Sequence, residues 1–214
     1  MKTIKEKDSF VCSYCRYPQS CEIIPVVSLS DTPELKEKIM DGTFFDQVCE
    51  NCGKAETVLH DLAYIDEENK LCLIMRLDEE EEAGEEEEVY LDLGYTVRTV
   101  RSYEQLVEKI MIRDYQMDDR LVELMKAASY MILKQAHKID ADEIFFSVDD
   151  DGPYFVFFQK GGKQGGGRLP FMKGMYEDME ERFAKKADIF FKSETEIDFA
   201  WAAEFFQKTY GSKS

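Results

Sequence analysis

Apolar residues fall in short alternating or continuous blocks over the first hundred positions and at helical spacing through much of the second half of the chain. That pattern predicts strands first and helices later. Residues 10–12 and 23–29 read as short strands. Thr32-Pro33-Glu34-Leu35 has the form of a helix start: Thr32 can cap, Pro33 suits the first helical position and Glu34 suits the positive helix end. Leu35 and Ile39 would line the buried side of this helix, and Gly42 can end it. Residues 44–48 return as a strand. Residues 57–65 and 70–77 are expected to pair as a hairpin across Asp66-Glu67-Glu68-Asn69. Residues 89–101 are expected to form a further strand, with Val89, Leu91, Leu93, Tyr95 and Val97 alternating on one face.

The period then changes. Ser102-x-x-Gln105 is a capping-box start for a helix over 103–112, and Asp118 can cap a second over 119–137. Leu121, Leu124, Met125, Ala128 and Ile132 recur there at helical spacing. The remainder reads β-β-α-α. Strands over 144–148 and 154–159 flank the turn Asp149-Asp150-Asp151-Gly152. A Gly-rich loop comes next, then a helix over 173–187, then a last helix opened by Thr195-x-x-Asp198 with Ile197, Trp201 and Phe205 on one stripe. The expected fold class is α+β: an N-terminal zinc-ribbon-like β module with an inserted helix, a central helical segment and a C-terminal ββα-type region. The polar stretch Lys138-Ile139-Asp140-Ala141-Asp142 suggests a boundary that divides the chain into residues 1–140 and 141–214.

Four cysteines in two matched pairs add chemistry to this outline. They are Cys12-Ser13-Tyr14-Cys15 and Cys49-Glu50-Asn51-Cys52, with 33 residues between the pairs. A C-x-x-C turn puts two sulfurs on one side of a tight loop, and two such turns supply four soft ligands for one tetrahedral Zn2+. Cys12, Cys15, Cys49 and Cys52 are therefore the expected ligands of a structural zinc ion. Four thiolates leave no open position for water, which argues against metal-assisted hydrolysis. Gly53 after the second pair tolerates the left-handed backbone such turns need, whereas Arg16 holds the matching position after the first. Cys21 is a possible substitute ligand with core packing as the plainer role, and Cys72, inside Leu71-Cys72-Leu73-Ile74-Met75, reads as a core thiol.

Size and charge narrow the function classes. The chain has 214 residues, 44% hydrophobic and 13% aromatic, enough to bury a core. Residues 1–9 alternate Lys with Glu and Asp and lack an apolar h-region, so no secretory signal is expected. The apolar runs are strand-sized, too short to span a bilayer. The expected location is the cytoplasm, where thiols stay reduced and favour metal over disulfides. The net charge is −18, and half of it remains without the acidic run at residues 78–88. Such a chain repels phosphate backbones, which excludes nucleic acid as the expected partner.

At this point the sequence resembles the bacterial and archaeal CpXC-domain family, named for two Cys-Pro-x-Cys motifs. The resemblance rests on both cysteine pairs, on Asp31-Thr32-Pro33-Glu34-Leu35-Lys36-Glu37-Lys38-Ile39 between them and on Phe44-Phe45 before the second pair. It continues through Val97-Arg98-Thr99-Val100-Arg101-Ser102-Tyr103-Glu104-Gln105-Leu106-Val107-Glu108-Lys109-Ile110, and it covers residues 10–130. It implies a zinc-ribbon-like module of uncharacterised function. Ser13 and Glu50 stand where the family name has proline; proline stiffens the turn but ligates nothing.

Other patterns have plainer readings. Residues 160–168 hold five of the twelve glycines and could cradle an anion, but no Walker spacing is present and a connector is expected. Asp149, Asp151 and Gly152 resemble part of an EF-hand loop whose last position would be Phe158 instead of Glu, so a hairpin turn is expected. The acidic run at 78–88 reads as a solvated loop. His60 and His137 have no nucleophile signature nearby. Met111, Met117, Met125 and Met131 read as core, with an adaptable partner groove as the alternative. The leading expectation is a non-catalytic cytosolic interaction or regulatory protein with a protein partner or self-association, bound to neither nucleic acid nor membrane. The alternatives are an enzyme with an unrecognised pocket between the two regions, and a thiol redox sensor.

Overall fold

The charged run Lys5-Glu6-Lys7-Asp8 helps keep β1 (Ile4–Val11) exposed along seven of its eight residues. It pairs antiparallel with β2 (Pro18–Ser28) at the edge of a sheet, where those four charges discourage pairing with another chain. A computed structural model of the chain describes residues 1–78, 84–159, 166–191 and 194–211. After β2 the expected helix forms as α1 (Leu35–Asp41), buries Leu35 and Ile39 and ends at Gly42. It starts later than Thr32, because the Leu35 and Lys36 amides reach back only three residues, to the Thr32 and Pro33 carbonyls. Phe44 and Phe45 lie in a short 3-10 turn, Thr43–Phe45, and the strand begins only at β3 (Asp46–Val48), which pairs with β4 (Ala55–Thr57).

The expected hairpin is present as β5 (Leu62–Asp66) and β6 (Leu71–Met75). The Asp66 carboxylate closes its turn by accepting the Asn69 amide at 3.0 Å. The residues expected to form one strand over 89–101 divide instead into α2 (Glu85–Asp92) and β7 (Thr96–Val100). Glutamates at the start of α2 suit its positive end. Glu87 accepts the Gly84 amide at 2.8 Å and takes the Arg76 guanidinium at 3.0 Å. Gly94, at φ 78°, stops the helix in a conformation that glycine adopts without strain. The alternation of Val89, Leu91 and Leu93 fits a strand, but Glu87, Tyr90 and Leu91 also share one helical face, and that face is the inward one.

The sheet runs in the order β1-β2-β5-β6-β7, with β2–β5 and β6–β7 parallel. Its core includes Ile65, Cys72, Ile74 and Val97, and β6 is buried at all five residues. Glu67 ties the β5–β6 turn to the segment after β2. Burial alone would raise its carboxyl; the Ser28 and Ser30 hydroxyls donate to it and outweigh that, holding it at about 2. A depressed carboxylate stabilises the fold above its unfolded value and loses that contribution as pH falls. Acid titration followed by urea midpoints is therefore expected to show a decline from about pH 4.5 towards 2 that Glu67→Gln flattens.

From residue 103 onward helices dominate: α3 (Tyr103–Asp114), then α4 (Asp119–Ile132) continued by a π turn, Leu133–His137. Asp118 caps α4 as expected, accepting the Arg120 amide at 2.9 Å. β8 (Ala141–Asp149) and β9 (Gly152–Gln159) form the second expected hairpin. β10 (Gly166–Pro170), where a loop was expected, adds a third antiparallel strand. α5 (Lys173–Phe190) buries Met179, Phe183 and Ala187 at four-residue spacing. α6 (Phe199–Tyr210) carries Trp201 and Phe205 inward beside Ile197, as the stripe predicted. Its cap is Asp198 instead of Thr195, since the Trp201 amide donates to Asp198 Oδ1 at 2.8 Å.

The chain packs as two compact units, Met1–Tyr103 and Glu104–Ser214. The division between these units falls before the central helices. Leu121, Leu124 and Met125 of α4 share one core with Phe146, Phe155, Phe183 and Phe205, so α4 folds with the strands that come after it. Within the described residues no helix is long and apolar enough to cross a membrane.

Candidate metal centre

The two C-x-x-C pairs occupy matching places in two hairpins. The loop from Cys12 to Tyr17 joins β1 to β2, where Val11 pairs with Pro18; the loop from Cys49 to Lys54 joins β3 to β4, where Val48 pairs with Ala55. Their backbone bonding is the same. The first cysteine donates its amide to the carbonyl of the sixth residue, Cys12 to Tyr17 at 3.0 Å and Cys49 to Lys54 at 2.9 Å. The fifth residue donates back to the first cysteine, Arg16 to Cys12 at 2.9 Å and Gly53 to Cys49 at 2.8 Å. Both fifth residues are left-handed, Arg16 at φ 62° and Gly53 at φ 72°. A side chain in that conformation costs about 1–2 kcal/mol. A Cβ at Gly53 would meet nothing within 4 Å, so Gly53→Ala is expected to cost about 1–2 kcal/mol from backbone strain alone. Arg16→Gly is expected to be neutral or to stabilise by up to about 1 kcal/mol, since glycine's extra unfolded-state freedom offsets part of the relief. Thermal melts of the two variants check both signs.

These turns bring all four sulfurs within 4.8 Å of one another. Between the hairpins, Cys12 to Cys52 is 3.8 Å and Cys15 to Cys49 is 3.6 Å. Cys12 and Cys49 are buried, Cys15 is half-buried and Cys52 is exposed. The four sequence-predicted ligands thus stand together, close enough to hold a metal ion. Cys21 is buried on β2 opposite Asp8 and lies outside the group. Cys72 is sealed in β6, where burial first, and the charges of Glu87 and Glu86 after it, push its thiol up to about 12.

Polar contacts lock the hairpins to each other, and the cysteine spacing alone did not reveal them. Asn51 donates to Cys15 Sγ at 3.5 Å; this bond first, and the Tyr17 backbone amide second, hold the Cys15 thiol down to about 6. Gln19 on β2 accepts the Glu50 amide at 2.9 Å and donates to the Val48 carbonyl at 3.2 Å. Glu56 on β4 accepts the Ser13 amide at 2.9 Å, and that donor holds its carboxyl below the ordinary range. Lys54 sits over the Tyr14 ring, 4.2 Å from its centre. The residues between and after the cysteines are thus fasteners of the thiol group. Only their recurrence at corresponding turn positions could have singled them out.

The other candidate residues have structural roles. Asp149 takes the Arg168 guanidinium at 2.6 Å and the Asp151 amide at 3.1 Å, within a hairpin turn. Residues 160–165 of the Gly-rich loop and 79–83 of the acidic run lie outside the described residues. His60 packs against the Phe44 and Phe45 rings. Met111, Met117 and Met125 pack in the core of the C-terminal unit, whereas Met131 is exposed. A second charged group lies inside that unit. Lys126 pairs with Glu108 at 3.0 Å and with Glu123 at 2.9 Å, all three buried, and Glu108 also accepts the Phe146 amide at 2.6 Å. Glu123-x-x-Lys126 falls in the otherwise apolar run from Leu121 to Ala128, which was the available signal of burial.

Comparison with known families places a model described as CpXC protein on residues 10–126 of the chain. No curated protein and no solved structure matches it.

Proposed function

Because the chain belongs to the CpXC family, we propose that it is a non-catalytic interaction or regulatory protein of the cytoplasm whose N-terminal unit is built on a zinc-ribbon-like structural Zn2+ site. One observation carries this reading: four thiols on two like hairpins, every sulfur within 4.8 Å of the others. Zinc binds thiolates at about 2.3 Å in a tetrahedron, which sets sulfur–sulfur edges near about 3.8 Å. The 3.6 and 3.8 Å separations fit that spacing. The donor set also fits, since soft thiolates favour zinc over magnesium or calcium. Cys12, Cys15, Cys49 and Cys52 would hold the ion, and Asn51, Gln19 and Glu56 would fix the loops that carry them. The ion supplies cross-linking and charge neutralisation, with all four thiols deprotonated around it.

Native mass spectrometry with thiol alkylation tests the reading. The expected result is one zinc per chain and four cysteines that resist iodoacetamide until a chelator removes the metal. A metal-free folded chain whose pair cysteines alkylate at once would overturn it and bring forward the redox sensor.

A further inference from the structure

The end of α4 departs from the rest of its helix. Leu121, Leu124 and Met125 point inward, but Met131 and Ile132 on the last turn are 48% and 47% exposed. Phe199, at the start of α6, is 47% exposed. Its ring meets Tyr130 edge-on at 5.1 Å, which brings the two helix ends side by side. No acidic residue occurs from Leu124 to Ile139, and Lys134 and Lys138 are both exposed there. Lys134 is fixed beside this surface by the Tyr130 hydroxyl at 2.9 Å and by Asp140 at 3.6 Å. On a chain of net charge −18, this is an apolar patch edged with the minority charge.

α2 carries the opposite combination. Tyr90 and Leu91 pack into the N-terminal unit and Glu87 is buried on Arg76. Glu86, Val89 and Leu93 are spaced three and four residues apart and so share the outer face. Val89 is 56% exposed and Leu93 58%, and Glu86 and Glu88 are exposed beside them. Apolar side chains flanked by glutamates thus match, in kind and in charge, apolar side chains flanked by lysines.

We propose that the chain self-associates head to tail, α2 of one copy docking on the Met131–Ile132–Phe199 patch of a second copy, with Glu86 and Glu88 facing Lys134 and Lys138. This names the partner within the interaction reading of the protein, and rests on it. The apolar contact supplies the attraction, and the charges set partner and register. The two faces differ, so each docked pair leaves one patch and one α2 free, and assembly continues into a ring where the rotation closes or an open filament where it does not.

Charge exchange tests the contact on the full metal-loaded chain. Sedimentation of the wild type is expected to show an average mass that rises with concentration and falls with added salt. Lys134→Glu/Lys138→Glu and Glu86→Lys/Glu88→Lys are each expected to weaken association by about a hundredfold or more, because like charges then face each other. An equimolar mixture of the two variants is expected to associate again, since every contact in it regains opposite charges. A wild type monomeric at every concentration, variants that associate unchanged, or a mixture that stays monomeric would each overturn the proposal. Zinc content and circular dichroism, read on the same samples, keep the two ideas apart. Zinc-loaded, folded, monomeric chains sink this contact alone, whereas association without zinc sinks the structural-metal reading alone.

Discussion

Cys49→Ser is expected to release the metal and to lower the melting temperature of the N-terminal unit by more than about 10 °C. A structural zinc site contributes on the order of 10 kcal/mol of apparent binding free energy to folding. In a domain of about 100 residues each 1 kcal/mol shifts the midpoint by about 4–8 °C, so even a third of that contribution gives the stated change. What remains cannot compensate. β3 and β4 have three residues each, and a hairpin that short is at best marginally stable alone. The Gln19 and Glu56 bonds that would still fasten it are worth about 1 kcal/mol apiece. Hydrogen exchange should accordingly show protection lost first over residues 46–57. Cys21→Ser is the control: Cys21 lies outside the thiol group, and its replacement should leave metal content unchanged. Unaltered zinc and melting in the Cys49 variant would contradict the assignment.

The second large effect is expected in the other unit. Lys126→Met should destabilise it by about 3–5 kcal/mol at neutral pH, because it leaves two buried carboxylates without their cation. In the wild type, burial already raises the Glu123 carboxyl above its ordinary range, with Lys126 and Lys109 opposing that. Without Lys126 the Glu123 carboxyl rises further, since its largest opposing charge is gone. A carboxyl raised by folding penalises the fold above its folded pKa, and the penalty disappears below its unfolded value. The variant should therefore recover stability as pH falls towards about 4.5, contrary to the usual acid response. Lys126→Met combined with Glu108→Gln and Glu123→Gln should regain most of the loss at pH 7, as neutral replacements of buried ion groups often do. Urea denaturation of both variants at neutral and acidic pH separates these outcomes. A single variant that loses stability equally at both pH values would show that packing of the lysine stem, not charge, was at stake.

How much of this was legible in the sequence depended on how local the cause was. The thiol group was legible because C-x-x-C is a local motif and its chemistry leaves few alternatives. The hairpins at β5–β6 and β8–β9, the Asp118 cap and the Ile197–Trp201–Phe205 stripe were legible for the same reason. Of the strand expected over 89–101, residues 96–100 form β7, but 89–92 were misread because their apolar residues satisfy both periods. The choice fell to Glu87, whose partner Arg76 lies across a loop. The polar stretch near residue 140 gave no sign that α4 shares a core with later elements as far along the chain as Phe205. Buried charges such as Glu108 and Lys126 look like surface residues until their partners are known.

The parallel pairing of β2 with β5 has a further consequence for how the chain reaches its fold. Parallel neighbours cannot be joined by a tight turn, so β2 must wait for a strand that lies beyond α1 and the second thiol hairpin. The first cysteine pair immediately precedes β2 and the second precedes β5. A metal bound to both pairs closes nearly the same loop that the strand pairing must close, and the entropy of closing it is then lost once and not twice. An ion held by the four thiols would in this sense nucleate the sheet as well as clasp it. Metal supply would then set the speed at which newly made chains become folded ones, and chains made during metal shortage would accumulate with β2 and β5 apart.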